Sequence, residues 1–249
     1  MPRLLFEKKG RAVWISHLDL MRLFQRAFKR AGLKLKHTQG FNPRPSVSIA
    51  LPLSVGVESE CELLDFDLDG DPVSNEDVCR RLNDVLVEGV RAKQVYDGGK
   101  KVGLISFLEC CLNLEYDDPV SEDVATQIGQ LFQRTSLVLP KKTKSGIQDQ
   151  DIIPMIRRIH IKQTDAHIIQ MNAMICCQNP TLNPAQLVAA IETYLPACRP
   201  DFSKCCRIEI YDGNETVFMD INMDGKISAS DKLAILNVIK GEYDYSQVK

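Results

Sequence analysis

Residues 15–59 read ISHLDLMRLFQRAFKRAGLKLKHTQGFNPRPSVSIALPLSVGVES, and the rest of the chain is organised around them. Ser16 and Asp19 have the spacing of a capping box at a helix N-terminus. Apolar residues then recur at steps of three and four, which predicts one buried helix face: Leu20, Leu23, Phe24, Ala27, Phe28 and Ala31. Gly32 is placed to end this helix. The stretch therefore predicts a capped helix, a loop and a buried strand.

A second face of the same helix is basic. Arg22, Arg26 and Arg30 follow at intervals of four residues, with Lys29 beside them. The loop at 39–45, QGFNPRP, contains two prolines that fix φ and a glycine that permits unusual φ, so its shape is specified. Helix and loop together predict a binding surface.

The chain has 249 residues, of which 44% are hydrophobic and 26% charged, as is typical of a globular protein with one large domain or two smaller ones. The start of the sequence contains no apolar run of signal-peptide length, and no later segment predicts a membrane span. These patterns predict a cytoplasmic protein without a membrane partner.

Nine cysteines include three adjacent pairs, Cys110-Cys111, Cys176-Cys177 and Cys205-Cys206. Neighbouring side chains on a strand point to opposite faces, so an adjacent pair is poorly placed to hold one metal. The sequence has no C-x-x-C motif and no cysteine triplet spaced for a cluster. We therefore expect buried free thiols, no iron–sulfur cluster and no intrinsic cofactor.

The net charge of −2 conceals blocks of opposite sign. Residues 1–45 carry 11 Lys and Arg against 2 Asp and Glu, a net charge of +9. Residues 46–135 carry 7 against 18, a net charge of −11. Clustered positive charge attracts phosphate even on a nearly neutral protein, so the first block favours a polyanionic partner.

Hydrophobic patterns and turn signals give the order β-α-β-β-α-β over residues 1–99 and again over 100–212. This predicts an α+β fold of two tandem ferredoxin-like βαββαβ sandwiches. In the first unit we expect extended segments or strands at Arg3–Glu7, Arg11–Ile15, Val47–Leu53, Cys61–Leu68 and Val90–Tyr96. We expect residues 213–249 to form a third unit, with a hairpin strand followed by a short EF-hand-like loop and helix.

The loop of this third unit matches the calcium-binding pattern D-x-N-x-D-G with an acidic residue at position 12. Its predicted ligands are the side chains of Asp220, Asn222, Asp224 and Asp231 and the backbone carbonyl of Lys226. The alternative is a solvated acidic turn without calcium.

Several motifs occur in a fixed order: Ser16-His17-Leu18-Asp19, Gln39-Gly40-Phe41-Asn42-Pro43-x-Pro45, Leu51-Pro52-Leu53, Gly56-Val57-Glu58-Ser59 and Lys141-Lys142-Thr143-Lys144. In these, residues 2–210 resemble the radical SAM-linked protein family, a bacterial family of unknown biochemical function. The resemblance implies association with a radical SAM enzyme as partner. This chain lacks that enzyme's cysteine motif, so the radical chemistry would belong to the partner.

Two further resemblances concern parts of the chain. The paired domains, with a histidine near the first helix and a glycine-rich loop, are similar in style to CRISPR repeat-processing endoribonucleases. Residues 220–241 resemble one repeat of a dockerin, a calcium-dependent module that normally carries two. Because a single repeat is present, we do not expect a cohesin partner.

The basic residues favour RNA binding, since guanidinium and ammonium groups contact phosphates and an aromatic ring stacks on an unpaired base. The predicted contacts are Arg22, Arg26, Lys29, Arg30, Phe41, Arg44, Lys141, Lys142 and Lys144. The alternative is a solvated charged face on an amphipathic helix.

Three functions follow from these residues. The first is a non-catalytic RNA-binding adaptor that presents ribosomal or transfer RNA to a separate radical SAM enzyme. The second is a metal-independent endoribonuclease that uses His17 as its acid or base, because the pKa of histidine is ordinarily near neutrality. The third is a protein-interaction module for the radical SAM enzyme.

Overall fold

The computed structural model describes residues 1–143 and 146–218, which form a mixed α+β structure. Its centre is one eight-stranded sheet, with a separate two-stranded hairpin beside it. The α+β class expected from the sequence is confirmed.

The N-terminal half, residues 2–97, contains four strands and two helices in the order β-α-β-β-α-β. The elements are β1 (Pro2–Lys8), α1 (His17–Arg30), β2 (Val47–Ile49), β3 (Val57–Phe66), α2 (Asn75–Asn83) and β4 (Val90–Asp97). The strands lie in the order β4-β1-β3-β2, and every neighbouring pair among them is antiparallel.

The C-terminal half, residues 105–212, has a related arrangement. Its elements are β5 (Ile105–Glu115), α3 (Glu122–Phe132), β6 (Val138–Thr143), β7 (Gly146–Asp151), β8 (Ile156–Asp165), β9 (Ile168–Cys176), α4 (Ala185–Tyr194) and β10 (Phe202–Asp212). The main strands lie in the order β10-β5-β9-β8, while β6 and β7 form the separate hairpin.

The two halves share one sheet, because β10 pairs in parallel with β3 through residues 205–207 and 57–59. Through this pairing β1 and β5 run in the same direction. The crossovers β1-α1-β2 and β5-α3-β8 also move the same way across the sheet. Crossovers of one hand therefore place α1 and α3 on the same face of the sheet.

Two clusters of apolar side chains fill the space between the sheet and its helices. One joins β1, β3 and β4 to α1 and α2, and includes Phe6, Phe24, Phe28, Phe66 and Leu82. The other extends across the C-terminal half to α3 and α4, and it also takes in Leu5 and Leu63 from the N-terminal half. Burial of such side chains is the main favourable contribution to folding.

Three local predictions differ from the structure. The segment predicted as extended at Arg11–Ile15 contains a 3₁₀ helix at Gly10–Trp14. The strand predicted at Val47–Leu53 is short and ends at Ile49. The sequence KKTKSG at 141–146 predicts a basic loop after a short strand at 137–139, but residues 141–143 continue β6 and Gly146 begins β7, which pairs with it.

The chain turns after β10 at residues 212–215, and Val217 then pairs with Tyr211. This return agrees with the predicted hairpin strand. The predicted calcium ligands Asp220, Asn222, Asp224, Lys226 and Asp231 lie outside the described residues, as does Lys144.

Candidate nucleic-acid interface

Helix α1 has both of the ends that its sequence predicts. At the N-terminus the Asp19 backbone N–H donates to Ser16 Oγ at 3.2 Å, and the Ser16 hydroxyl donates to Asp19 Oδ2 at 2.8 Å. At the C-terminus Gly32 has φ +68°, and its N–H donates to the Lys29 carbonyl at 3.2 Å. The Leu33 N–H donates to the Phe28 carbonyl at 2.9 Å, completing a Schellman motif.

The buried face of α1 fixes its rotation about the helix axis. Leu20, Phe24 and Phe28 are fully buried. The Phe24 ring lies edge-on to Phe6 with centroids 4.6 Å apart, and the Phe28 ring lies 4.9 Å from Phe66. Because these rings hold one face against β1 and β3, the arginine face points to solvent.

The exposed face of α1 carries Arg22, Arg26, Lys29 and Arg30. Arg22 pairs with Asp19 at 3.0 Å. A hydrogen bond from the Ser16 hydroxyl, followed by the contact with Arg22, lowers the pKa of the Asp19 carboxyl. Within the described residues the other three cations make no ion pair, so they are available to a ligand.

Three of the seven other cations in the first 45 residues pair with carboxylates on or beside β3. Arg3 pairs with Asp65 at 2.5 Å, Lys9 with Glu60 at 2.7 Å, and Lys34 with Asp69 at 2.6 Å. The basic and acidic blocks of the sequence therefore fold against each other. The positive charge that remains is concentrated on α1 and the loop that follows.

That loop is closed at its base by two hydrogen bonds. The Thr38 N–H donates to the Arg44 carbonyl at 2.8 Å, and the Arg44 N–H donates to Thr38 Oγ1 at 3.0 Å. A bridge between His37 and Pro45 continues the pairing. Phe41 lies in the middle of the loop with its side chain completely exposed, and Arg44 is also exposed.

A cavity of about 460 Å³ lies between the C-terminal part of α1 and the segment that leads into this loop. It is lined by Gln25, Lys29, Gly32, Leu33, Lys34, Leu35, His37 and Pro45. Its volume falls within the ordinary range of about 300–1,000 Å³ for small-ligand pockets. Of its two lysines, Lys34 is paired with Asp69, whereas Lys29 makes no ion pair within the described residues. One unpaired ammonium group beside apolar walls suits a group that is both anionic and partly apolar, as a nucleotide is.

The predicted lysines of the second half belong to the β6–β7 hairpin. Lys141 is partly buried, and its Nζ donates to the Thr181 carbonyl at 3.0 Å. Lys142 is exposed and lies opposite Ile147. The hairpin is attached to α4, since the Tyr194 hydroxyl donates to the Val138 carbonyl at 2.8 Å. Lys142 is therefore the freer of the two described lysines.

His17 occupies the first turn of α1 and is partly buried. Its Nδ1 atom is buried and makes no hydrogen bond within the described part of the chain. An acid or base that transfers a proton needs a substrate or a relay within hydrogen-bond reach of its nitrogen. The described contacts place no such partner at Nδ1, and catalysis by His17 stays a prediction.

Sequence reasoning missed Lys34 and Gln25 as residues of the cavity. Gln25 lies four residues before Lys29, so helical spacing alone places both on one face. Lys34 follows the helix and reaches the cavity only because the Schellman turn at Gly32 reverses the chain. The position of Lys34 in the cavity depends on how the chain folds after α1, and no sequence motif predicts it.

Two searches of the described residues bear on other site classes. No group of three or more His, Cys, Asp or Glu side chains that could hold a metal ion was found in residues 1–143 and 146–218. Over the same ranges, none of the helices has the length and apolar character needed to cross a membrane.

The fold and this surface define an α+β protein with a continuous mixed sheet and an exposed basic helix. The chain belongs to DUF2344, a family described as uncharacterized proteins conserved in bacteria, whose model matches residues 2–184. A search of curated proteins found no match.

Two solved structures are similar at low identity. One is a chain from the "Crystal Structure of a Cbf5-Nop10-Gar1 Complex", with TM-score 0.47 and 8% identity over 84% of this chain and 48% of the other. The second is an "Unknown Protein from Galdieria sulphuraria", with TM-score 0.24 and 9% identity over 85% of this chain and 96% of the other. This chain thus spans about half of the first structure's chain.

Proposed function

We propose that this protein is a non-catalytic RNA-binding adaptor that presents ribosomal or transfer RNA to a separate radical SAM enzyme. The observation that carries the proposal is the set of unpaired cations on the exposed face of α1. Arg26, Lys29 and Arg30 form no ion pair within the described residues, although the same half of the chain is rich in carboxylates.

Single-stranded RNA is the polyanion that these groups fit best. Its backbone requires a row of cations, and its unpaired bases stack on exposed aromatic rings. The α1 face supplies the cations, and the fully exposed Phe41 ring supplies a stacking surface in the adjoining loop. The cavity lined by Lys29 and His37 lies between them and has room for a base or a phosphate.

The role of adaptor rests on the sequence resemblance to the radical SAM-linked family. Because the sequence lacks a spaced cysteine triplet, the cluster chemistry is assigned to the partner. The protein would hold the RNA while the enzyme modifies it. If so, the rate at which the enzyme modifies that RNA falls when the adaptor is omitted, while its cleavage of SAM is retained.

The first experiment measures RNA affinity across a salt series for the wild type and for R22E/R26E. Each phosphate neutralised on a single strand contributes about −0.7 to the slope of log affinity against log salt. Removal of two such contacts is therefore expected to reduce the slope by about 1.4 and to weaken binding at low salt. The matched control is K162E/R199E, which makes the same change in net charge at two exposed positions of the C-terminal half.

Unchanged affinity and slope in R22E/R26E would exclude α1 from the interface. If the wild type binds no RNA even at low salt but co-purifies with the enzyme, the basic face serves a protein partner instead. RNA that is cleaved in EDTA by the wild type but not by His17→Ala would replace the adaptor with an endoribonuclease.

A further inference from the structure

The sequence contains a single tryptophan, Trp14, and its side chain is 70% exposed. Trp14 is the last residue of the 3₁₀ helix that precedes α1. Two other large apolar side chains near this end of α1 are also exposed, Leu18 at 67% and Val55 at 51%. An exposed apolar patch of this kind marks a place where another molecule binds.

The backbone around Trp14 is firmly held although its ring is exposed. The Gly56 N–H donates to the Val13 carbonyl at 2.9 Å, and the buried Lys8 ammonium donates to the Ile15 carbonyl at 2.9 Å. The ring lies over the turn at Gly56, where a Cβ atom would be 4.0 Å from Trp14 Cζ3. A ring on an anchored backbone loses little conformational freedom when a flat ligand stacks on it.

The patch is continuous with the basic face of α1. Leu18, Arg22, Arg26 and Arg30 follow at steps of four residues, which places them along one side of the helix. Trp14 precedes this row at the N-terminal end, and the loop that carries Phe41 follows α1 at the other. A helix of 14 residues is about 20 Å long, so a row of cations separates two exposed aromatic rings.

We propose that Trp14 is a second base-stacking platform, so that single-stranded RNA runs along α1 from Trp14 to Phe41. This inference rests on the proposed RNA binding and specifies its substrate as unpaired RNA. A duplex is excluded as the preferred substrate because its bases are already stacked on one another and offer the rings no free face. The footprint corresponds to a few nucleotides, at the short end of the sizes known for single-strand sites.

The test uses a fluorescein-labelled oligouridylate of about ten nucleotides, long enough to cover such a footprint. Anisotropy of the label measures binding, while the intrinsic fluorescence of the only tryptophan reports contact at Trp14 alone. We expect the oligonucleotide to quench the tryptophan fluorescence over the same concentration range in which the anisotropy of the label rises. A duplex of the same length is expected to quench it less.

Substitution separates stacking from charge. Trp14→Ala is expected to weaken affinity about tenfold, the usual effect of losing one stacked base, with no change in the salt slope. Trp14→Phe keeps an aromatic face and is expected to retain most of the affinity. Leu104→Ala is the matched control. Leu104 is a large apolar side chain that is 55% exposed and follows Lys100 and Lys101 in the sequence, and it lies near Asp212 at the C-terminal end of β10.

Two outcomes would overturn the inference in different ways. If the label shows binding while Trp14 fluorescence stays constant and Trp14→Ala binds as the wild type does, the platform is wrong and the RNA-binding proposal stands. If the wild type shows no binding by anisotropy, the proposed function fails and the platform fails with it.

Discussion

Asp212 closes the turn that follows β10. Its Oδ1 accepts hydrogen bonds from the backbone N–H groups of Asn214 and Thr216, both at 3.0 Å, and its other oxygen pairs with Lys100. Burial by itself raises the pKa of this carboxyl. The Lys100 ammonium and the two backbone N–H groups together lower the pKa by more than burial raises it, so the net pKa lies below the usual value. The ionised form is therefore the one that the folded protein stabilises.

This shift predicts a stability difference that depends on pH. Because the folded pKa is depressed, the contribution is complete above the unfolded pKa of about 3.9 and is lost as pH falls through the folded pKa. Asp212→Asn is expected to lower the free energy of unfolding by about 1–2 kcal/mol at neutral pH, as loss of hydrogen bonds to a charged group does. Urea unfolding at about pH 7 and about pH 3 should show this difference shrinking in acid.

The control for this prediction is Asp118→Asn, at an exposed carboxylate on the loop before α3. A difference between wild type and Asp212→Asn that persists unchanged in acid would contradict the assigned role of the ionised carboxylate.

Single residues also show which parts of the candidate site could be predicted from the sequence. The spacing of Arg22, Arg26 and Arg30 predicted an exposed row, and the structure places them there because the opposite face buries Phe24 and Phe28. The charge count did not show which cations would be neutralised. That depends on pairs such as Arg3 with Asp65, which are 62 residues apart and meet only through strand register.

At the scale of elements, the sequence predicted those helix ends that depend on residues close together in the chain. The helix that begins after Ser16 was predicted from its cap, and the Ser16 hydroxyl accepts the expected backbone N–H; Ser74 caps α2 in the same way. The 3₁₀ helix at Gly10–Trp14 was missed because its five residues have no periodic pattern. Its shape follows from contacts with distant residues, including Gly89, whose carbonyl accepts the Lys9 N–H at 2.7 Å.

Replacing a glycine by alanine is expected to change the free energy of unfolding in opposite directions in two helices. Gly32 ends α1 with φ +68°, so Ala there is strained even though no atom lies within 4 Å of a Cβ, and the free energy of unfolding should fall by about 1 kcal/mol. Gly129 lies inside α3 with open space around it, so Ala there should raise stability by about 0.5–1 kcal/mol. Thermal or urea unfolding measures both changes.

These two variants control each other, since both add one methyl group to an uncrowded glycine. Equal effects of the same sign would show that the left-handed C-cap of α1 is not a constraint on the fold.

At the scale of the whole molecule, the sequence did not predict that the two halves share one sheet. The repeated β-α-β-β-α-β order predicted two separate sheets, whereas β3 and β10 form one sheet through three paired positions. Parallel pairing of segments almost 150 residues apart leaves no turn signal, and the pattern of one strand does not reveal which edge accepts another. The domain boundaries at residues 99 and 212 stay predictions.

A buried ion pair crosses this junction. Glu62 is fully buried on β3 and accepts from Arg207 Nη1 of β10 at 3.1 Å, while Arg207 Nη2 donates to the Pro52 carbonyl at 2.7 Å. Lys8 is also fully buried nearby, and burial lowers the pKa of its ammonium while the charge of Glu62 opposes that shift. Glu62 therefore compensates two buried cations, one from each half.

We expect Glu62→Ala to lower the free energy of unfolding by about 3–5 kcal/mol, because both cations would remain buried without their counterion. Arg207→Met should cost less, since Lys8 still balances Glu62. The double variant E62A/R207M should cost less than the sum of the single variants by about 0.5–3 kcal/mol, because it removes both members of the pair together. Urea unfolding of all four proteins measures this coupling. Additive costs would show that the halves are joined by the strand pairing and the shared apolar core without a contribution from this pair.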